Sequence, residues 1–138
     1  MPGVFVLDSE ALSSLAAPDE RSVAFARARA VIAAAAQETA VIHIPAAVLM
    51  EVYRGTRRDA ALDRVLDGGK RVVPLDQRIA RVAGALLSRD GLDLCHAVDA
   101  SIVATAIRLG GAVIYTGDPD DLRSLARDHP NVLVRSLN

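Results

Sequence analysis

Val4-Phe5-Val6-Leu7 runs straight into Asp8-Ser9 near the start of the chain. An unbroken apolar run of this length is the pattern of a strand buried on both faces, and the Asp-Ser that ends it is the pattern of a helix N-cap. Strands buried on both faces belong to parallel sheets, whose crossovers lay helices on either side. The same alternation continues downstream. The Ala-rich stretch from Arg21 to Glu38, carrying Val23, Phe25, Val31 and Ile32, predicts a helix, and Val41-Ile42-His43-Ile44 a second short strand. Pro45 stands where a first helical turn accepts proline, opening a helix to Arg54 that Gly55 ends. Further helices are predicted over Arg58 to Leu66, stopped by Gly68-Gly69; over Gln77 to Ser88; over Val98 to Leu109, stopped by Gly110-Gly111; and over Pro119 to Arg127. Strands at Arg71 to Leu75, Ala112 to Tyr115 and Val132 to Val134 complete the pattern. The expectation is a three-layer α/β/α sandwich with a mostly parallel central sheet, in which ligands sit outside the carboxyl ends of the strands.

The 138 residues suit one domain, taken as 1–138, and an apolar fraction of 51% is enough for a sizeable core. The longest uncharged apolar runs, such as Ala30 to Ala36, fall far short of the roughly 18–20 residues of a membrane span. Met1-Pro2-Gly3-Val4 carries no basic leader, and Asp8 and Glu10 come too early for a secretory signal. Cys95 is the single cysteine, so an internal disulfide is excluded and a cytoplasmic location is expected. A net charge of −1 excludes a strongly basic protein that coats nucleic acid, and 3% aromatics without Trp argue against a base-stacking platform. Lys70 is the only lysine, which leaves arginine as nearly all of the 16 basic residues. Arginine offers planar, bidentate contacts to phosphate, but a GC-rich genome produces the same bias.

Four acids occupy the places where such a sheet binds ligands. Asp8 follows the first strand directly, and Asp118 follows the fourth in Thr116-Gly117-Asp118-Pro119. Glu51 lies on the helix after the second strand, with Ala47 one turn back leaving room above it. Asp99 lies in the first turn of the helix whose face continues through Ile102, Val103, Ala106 and Ile107. Singly, each has a plain structural role: Asp8 and Asp118 as N-caps, Asp99 as a helix-dipole acid, Glu51 as the surface partner of Arg54. Together they would repel one another, and their pKa values would rise unless a cation neutralised them. Oxygen ligands of this kind select Mg²⁺ or Mn²⁺ over zinc. A divalent ion with open positions activates water and offsets charge on a phosphodiester, so the pattern points to cutting that bond.

Val6-Leu7-Asp8-Ser9, Met50-Glu51-Val52, Asp99-Ala100-Ser101-Ile102-Val103-Ala104-Thr105-Ala106 and Tyr115-Thr116-Gly117-Asp118 resemble, in order, the four motifs of PIN-domain ribonucleases. Over nearly the whole chain, length and alternation are similar to the VapC-type toxins of bacterial toxin–antitoxin pairs. The resemblance implies a Mg²⁺-dependent endoribonuclease, with Mn²⁺ as a possible substitute. Asp8, Asp99 and Asp118 would ligate the metal, Glu51 would hold a bound water or a second ion, and Thr116 would line the site. It also implies a homodimer silenced by an antitoxin whose C-terminal segment covers the cleft. Relatives place the last acid two or five residues after the threonine. Asp118, nearest the strand end, is preferred here; Asp121 is the alternative and Asp120 is expected to be solvated.

Among the remaining residues, Arg54, Arg57 and Arg58 form a small basic cluster that is either a solvated surface or a clamp for RNA phosphates near the acids. Cys95-His96 lacks a second pair at zinc-ligand spacing and is expected to pack locally before its helix; Asp93 is expected to be a loop acid. Competing classes fit less well. A signalling receiver domain needs a lysine after its last strands, whereas Lys70 precedes the third. A dehalogenase-like phosphatase needs Asp-x-Asp where this chain has Asp8-Ser9-Glu10. A housekeeping or RNA-processing PIN nuclease without an antitoxin stays open, as does an inert scaffold, although an inert chain has no need of four gathered acids.

Overall fold

The computed structural model describes residues 3–138; Met1 and Pro2, which open the stretch read above for a leader, lie outside the described residues. Five strands, β1 (Val4–Leu7), β2 (Val41–Pro45), β3 (Lys70–Val73), β4 (Ala112–Thr116) and β5 (Val132–Ser136), form one sheet in the order β3-β2-β1-β4-β5. Every ladder is parallel, so the sheet expected to be mostly parallel is wholly so. β1 is the central strand: Val6 aligns with His43 on β2 and with Ile114 on β4. Val6, Leu7 and Ile114 are fully buried, which is why the first apolar run shows no polar alternation.

The helices are α1 (Ser9–Ala16), α2 (Val23–Glu38), α3 (Ala46–Val52), α4 (Asp59–Asp67), α5 (Gln77–Arg89), α6 (Ala97–Arg108) and α7 (Pro119–Ala126). α1 packs on α2 and α4, and α6 packs on α5 and α7; right-handed crossovers put these two groups on opposite faces of the sheet. α3 touches both α1 and α6 and so links the two layers. α6 is the most enclosed helix, buried without interruption from Ala100 to Ala106, and its Ser101 and Thr105 hydroxyls donate to helix carbonyls, those of Val98 and Ser101. Small side chains let it approach its neighbours closely, while Ile102 and Val103 fill the core.

Most boundaries shift by a residue or two from the sequence expectation, and three of the differences have a visible cause. α1 begins at the anticipated Asp8 cap but continues through Ala16, with Leu12 fully buried and Leu15 packed against the core. α3 ends at Val52 rather than Arg54. The Asp59 carboxylate accepts the N–H groups of Arg54 (3.1 Å) and Gly55 (2.8 Å), and the Tyr53 hydroxyl donates to Asp63, so α4 draws this segment out of the helix. β3 stops at Val73 rather than Leu75, because Pro74 has no N–H to extend a ladder. Among the described residues, no helix is long and apolar enough to cross a membrane.

Candidate metal centre

The chain leaves β1 toward β2 and returns beside β1 as β4, so the sheet's switch point lies between the carboxyl ends of β1 and β4. Asp8 closes β1 there. Its Oδ1 accepts the Ala11 N–H (3.0 Å) and its Oδ2 the Gly117 N–H (3.2 Å), while the nearby Thr116 hydroxyl favours the charged form of the same carboxylate. Asp8 is therefore a true N-cap as well as a candidate ligand, and it ties α1 to the end of β4. Burial pushes its carboxyl above the ordinary range; these hydrogen bonds pull it back without cancelling the rise.

Asp99 sits half-buried in the first turn of α6 and, among the described residues, makes no side-chain hydrogen bond or ion pair. Burial raises its pKa most, followed by the charges of Asp121 and Glu51; His96 acts in the opposite direction and Asp118 adds a smaller rise. Ligand atoms of His96, Asp99 and Asp121 lie within 4.8 Å of one another. Glu51 is exposed on the last turn of α3. The pairing with Arg54 allowed for above is not made: the Arg54 guanidinium donates instead to the carbonyls of Met50 (3.2 Å) and Tyr53 (2.8 Å).

Asp118 precedes α7, but its side chain caps nothing; its backbone N–H donates to Thr116 Oγ1 at 3.0 Å. Its charge raises the pKa of both Glu10 and Asp99. Asp121 stands nearer Asp99 and His96, so both rivals for the last acid face the site. Asp120 is exposed. The fold thus gathers Asp8, Glu51, Asp99, Thr116, Asp118 and Asp121.

Two further residues join them. Glu10, in the first turn of α1, lays its carboxylate over Gly117, in the space any β-carbon there would fill. Its pKa is raised by burial and then by the charges of Asp8 and Asp118. Nothing in the spacing of Glu10 and Gly117 announces this contact, which spans the sheet's switch point. His96 is the other. The expected local packing of Cys95-His96 is corrected: Cys95 is exposed, and a single 3-10 turn over Leu94–His96 brings the imidazole to the side of Asp99, three residues on. His96-x-x-Asp99 spacing was the available signal. Asp93 does not enter the crevice group; its carboxylate caps that turn by accepting the Cys95 N–H at 3.0 Å.

The three ion pairs among the described residues all lie in the Arg89–Asp90–Arg127–Asp128 network, and no cationic side chain pairs with Asp8, Glu51, Asp99 or Asp118. A crowded oxygen-donor set in which the Asp8 and Asp99 carboxyls are raised, and with which no cationic side chain pairs, fits a hard divalent ion. Arg54, Arg57 and Arg58 lie outside the crevice. They line a separate groove of about 750 Å³ between α1 and α4, floored by Ala16, Val52 and Leu62.

The sequence model of the PIN domain matches residues 5–128. The chain belongs to the PIN-domain family. No curated protein matches it. Among solved structures, a VapBC2 complex from Rickettsia felis bound to a promoter DNA fragment aligns with a TM-score of 0.69 at 17% identity, covering 96% of this chain and 98% of that one. A toxin–antitoxin complex from Klebsiella pneumoniae aligns at 0.63 and 21% identity (96% and 97% covered), and a DNA-bound VapBC from Salmonella typhimurium at 0.62 and 20% identity (100% of each). At these identities the likeness is one of fold. PIN domains are nucleases, so the chain is a hydrolase acting on nucleic acid.

Proposed function

We propose that this PIN domain is a Mg²⁺-dependent endoribonuclease, with Mn²⁺ able to replace Mg²⁺, and the toxin of a toxin–antitoxin pair acting in the cytoplasm as a homodimer. The observation that carries the nuclease reading is the acid cluster at the switch point with no cationic partner. Asp8, Asp99 and Asp118 would hold the ion, with Glu51 positioning the attacking water and Thr116 fixing the orientation of Asp8. Bound there, a divalent ion supplies a Lewis acid for water activation and for the charge that develops on the phosphodiester oxygens. The protein's part would be orientation: the Ala11 and Gly117 N–H bonds hold Asp8 in place, and the buried α6 would present Asp99. Arg57 and Arg58, exposed and without ion pairs among the described residues, would hold RNA phosphates on the approach to the acids.

The solved complexes with a similar fold are toxin–antitoxin assemblies, which supports the partner. The α1–α4 groove has the character of its seat: an apolar floor with an arginine rim suits an amphipathic segment bearing acidic groups. From there the segment's end would reach across the crevice. The nuclease reading is tested with purified protein and total RNA. Cleavage should stop in EDTA and return with Mg²⁺ or Mn²⁺; undiminished cleavage in chelator overturns the metal mechanism. The toxin reading is tested separately: the gene should neighbour a small reading frame whose product, co-expressed, forms a stable complex and suppresses cleavage; the absence of such a product overturns it.

A further inference from the structure

We propose that His96 is a nitrogen ligand of this centre and makes it favour first-row transition ions, Mn²⁺ among them, over Mg²⁺. The inference rests on the metal-centre reading above and adds a residue outside the four acids. The imidazole lies within 4.8 Å of carboxylate oxygens of both Asp99 and Asp121, a spacing at which one ion can reach all three. Its position is fixed by the backbone. Asp93 caps the 3-10 turn, His96 ends that turn, and α6 starts at the next residue, so His96 and Asp99 are held on one side of a continuous helical segment. Among the described residues the imidazole makes no hydrogen bond, so its nitrogen lone pair is not already committed to the protein.

Donor chemistry gives the direction. Mg²⁺ demands oxygen ligands and retains its waters; Mn²⁺ shares the taste for oxygen and is the weakest nitrogen binder of the first-row transition ions, yet it accepts an imidazole more readily than Mg²⁺ does. Replacing one oxygen position by His96 therefore raises affinity for Mn²⁺ while adding little for Mg²⁺. His96 also belongs to a second set, with Asp93 and Cys95, whose ligand atoms are equally close. Mn²⁺ has little preference for thiolate, so as a probe it reports the carboxylate side of His96 rather than the Cys95 side.

The experiment is Mn²⁺ and Mg²⁺ titration of the metal-free protein by calorimetry, with pulsed EPR of the Mn²⁺ form, on wild type, His96→Gln and Asp99→Asn. Wild type should show nitrogen-14 coupling to Mn²⁺ that His96→Gln abolishes. His96→Gln should lower Mn²⁺ affinity by more than it lowers Mg²⁺ affinity, and so reduce the Mn²⁺-over-Mg²⁺ preference. Circular dichroism confirms that the variant folds. Mn²⁺ bound without nitrogen coupling, or an unchanged preference in His96→Gln, overturns the inference; if Asp99→Asn still abolishes binding, the acid centre survives that result. Full Mn²⁺ binding by Asp99→Asn removes the acid centre itself and this inference with it.

Discussion

On the β1 side of the crevice, the Asp8 carboxylate is buried and accepts N–H bonds from Ala11 and Gly117, with the Thr116 hydroxyl against it. On the α6 side, Asp99 is half-buried and bonded to nothing among the described residues, surrounded by the charges of Asp121, Glu51 and Asp118. Both carboxyls are raised above the ordinary range, mainly by burial. The difference lies in what each returns to the fold. Asp8 offsets its desolvation with bonds that join α1 to β4, whereas Asp99 has in its favour only the neighbouring His96 and the field of the α6 N-terminus, the latter worth about 0.3–1 kcal/mol. The two acids thus divide into one bound into the fold and one that the fold leaves without a hydrogen bond among the described residues.

Asp8→Ala gives the largest effect. It removes the α1 cap and leaves the Ala11 and Gly117 N–H groups without their acceptor, a loss of about 2 kcal/mol. Urea unfolding in chelator should show that loss, and RNA cleavage should fall together with it. A variant as stable as wild type would mean that the bonds do no more than balance the burial of Asp8, and the contrast with Asp99 would disappear.

An intermediate effect is expected at Gly117. A β-carbon there falls on the Glu10 carboxylate, and the flexible side chain would swing aside. Gly117→Ala should therefore change stability by less than about 0.5 kcal/mol, as surface substitutions usually do, while altering Mg²⁺ affinity in the same direction as Glu10→Gln. If Gly117→Ala shifts affinity and Glu10→Gln does not, the glycine acts through the Gly117 N–H bond to Asp8 rather than through Glu10.

The contrast between Asp8 and Asp99 also marks what could be read in the chain. The strand–helix alternation and the layers are legible because Val4 to Leu7 and the later apolar runs record burial on both faces, and Gly68, Gly69, Gly110 and Gly111 stand where helices end. The end of α3 is not, since it depends on Asp59 reaching back to Arg54 and Gly55 from the next helix. The acids at strand ends were legible as a group because topology alone brings strand ends together. Glu10 was hidden for the opposite reason: its role depends on a side chain meeting Gly117, a residue 107 positions away in sequence. His96, weighed only together with Cys95 and expected to pack locally, is informative instead through its three-residue spacing to Asp99.

The smallest effect carries the most discriminating sign. A carboxyl whose folded pKa is raised binds more protons in the native state than in the unfolded one over the window between the two values, so stability falls as pH rises through it. For Asp99 this penalty is fully present above the folded pKa and absent below the unfolded one, because burial and neighbouring acids outweigh the helix field. In chelator at neutral pH, Asp99→Asn should then be more stable than wild type by an amount on the order of 0.5 kcal/mol, within the range of single substitutions. The gap should close on acidification. His43, which is buried and has its pKa lowered, also titrates as pH falls, but it is common to both proteins and cancels in the difference. Excess Mg²⁺ should reverse the order, since only wild type gains the stabilisation of a bound ligand. Thermal unfolding at several pH values, with chelator and with Mg²⁺, checks every part of this. An Asp99→Asn protein that is less stable in chelator at neutral pH would make Asp99 a helix acid like any other, and the two sides of the crevice would no longer differ in kind.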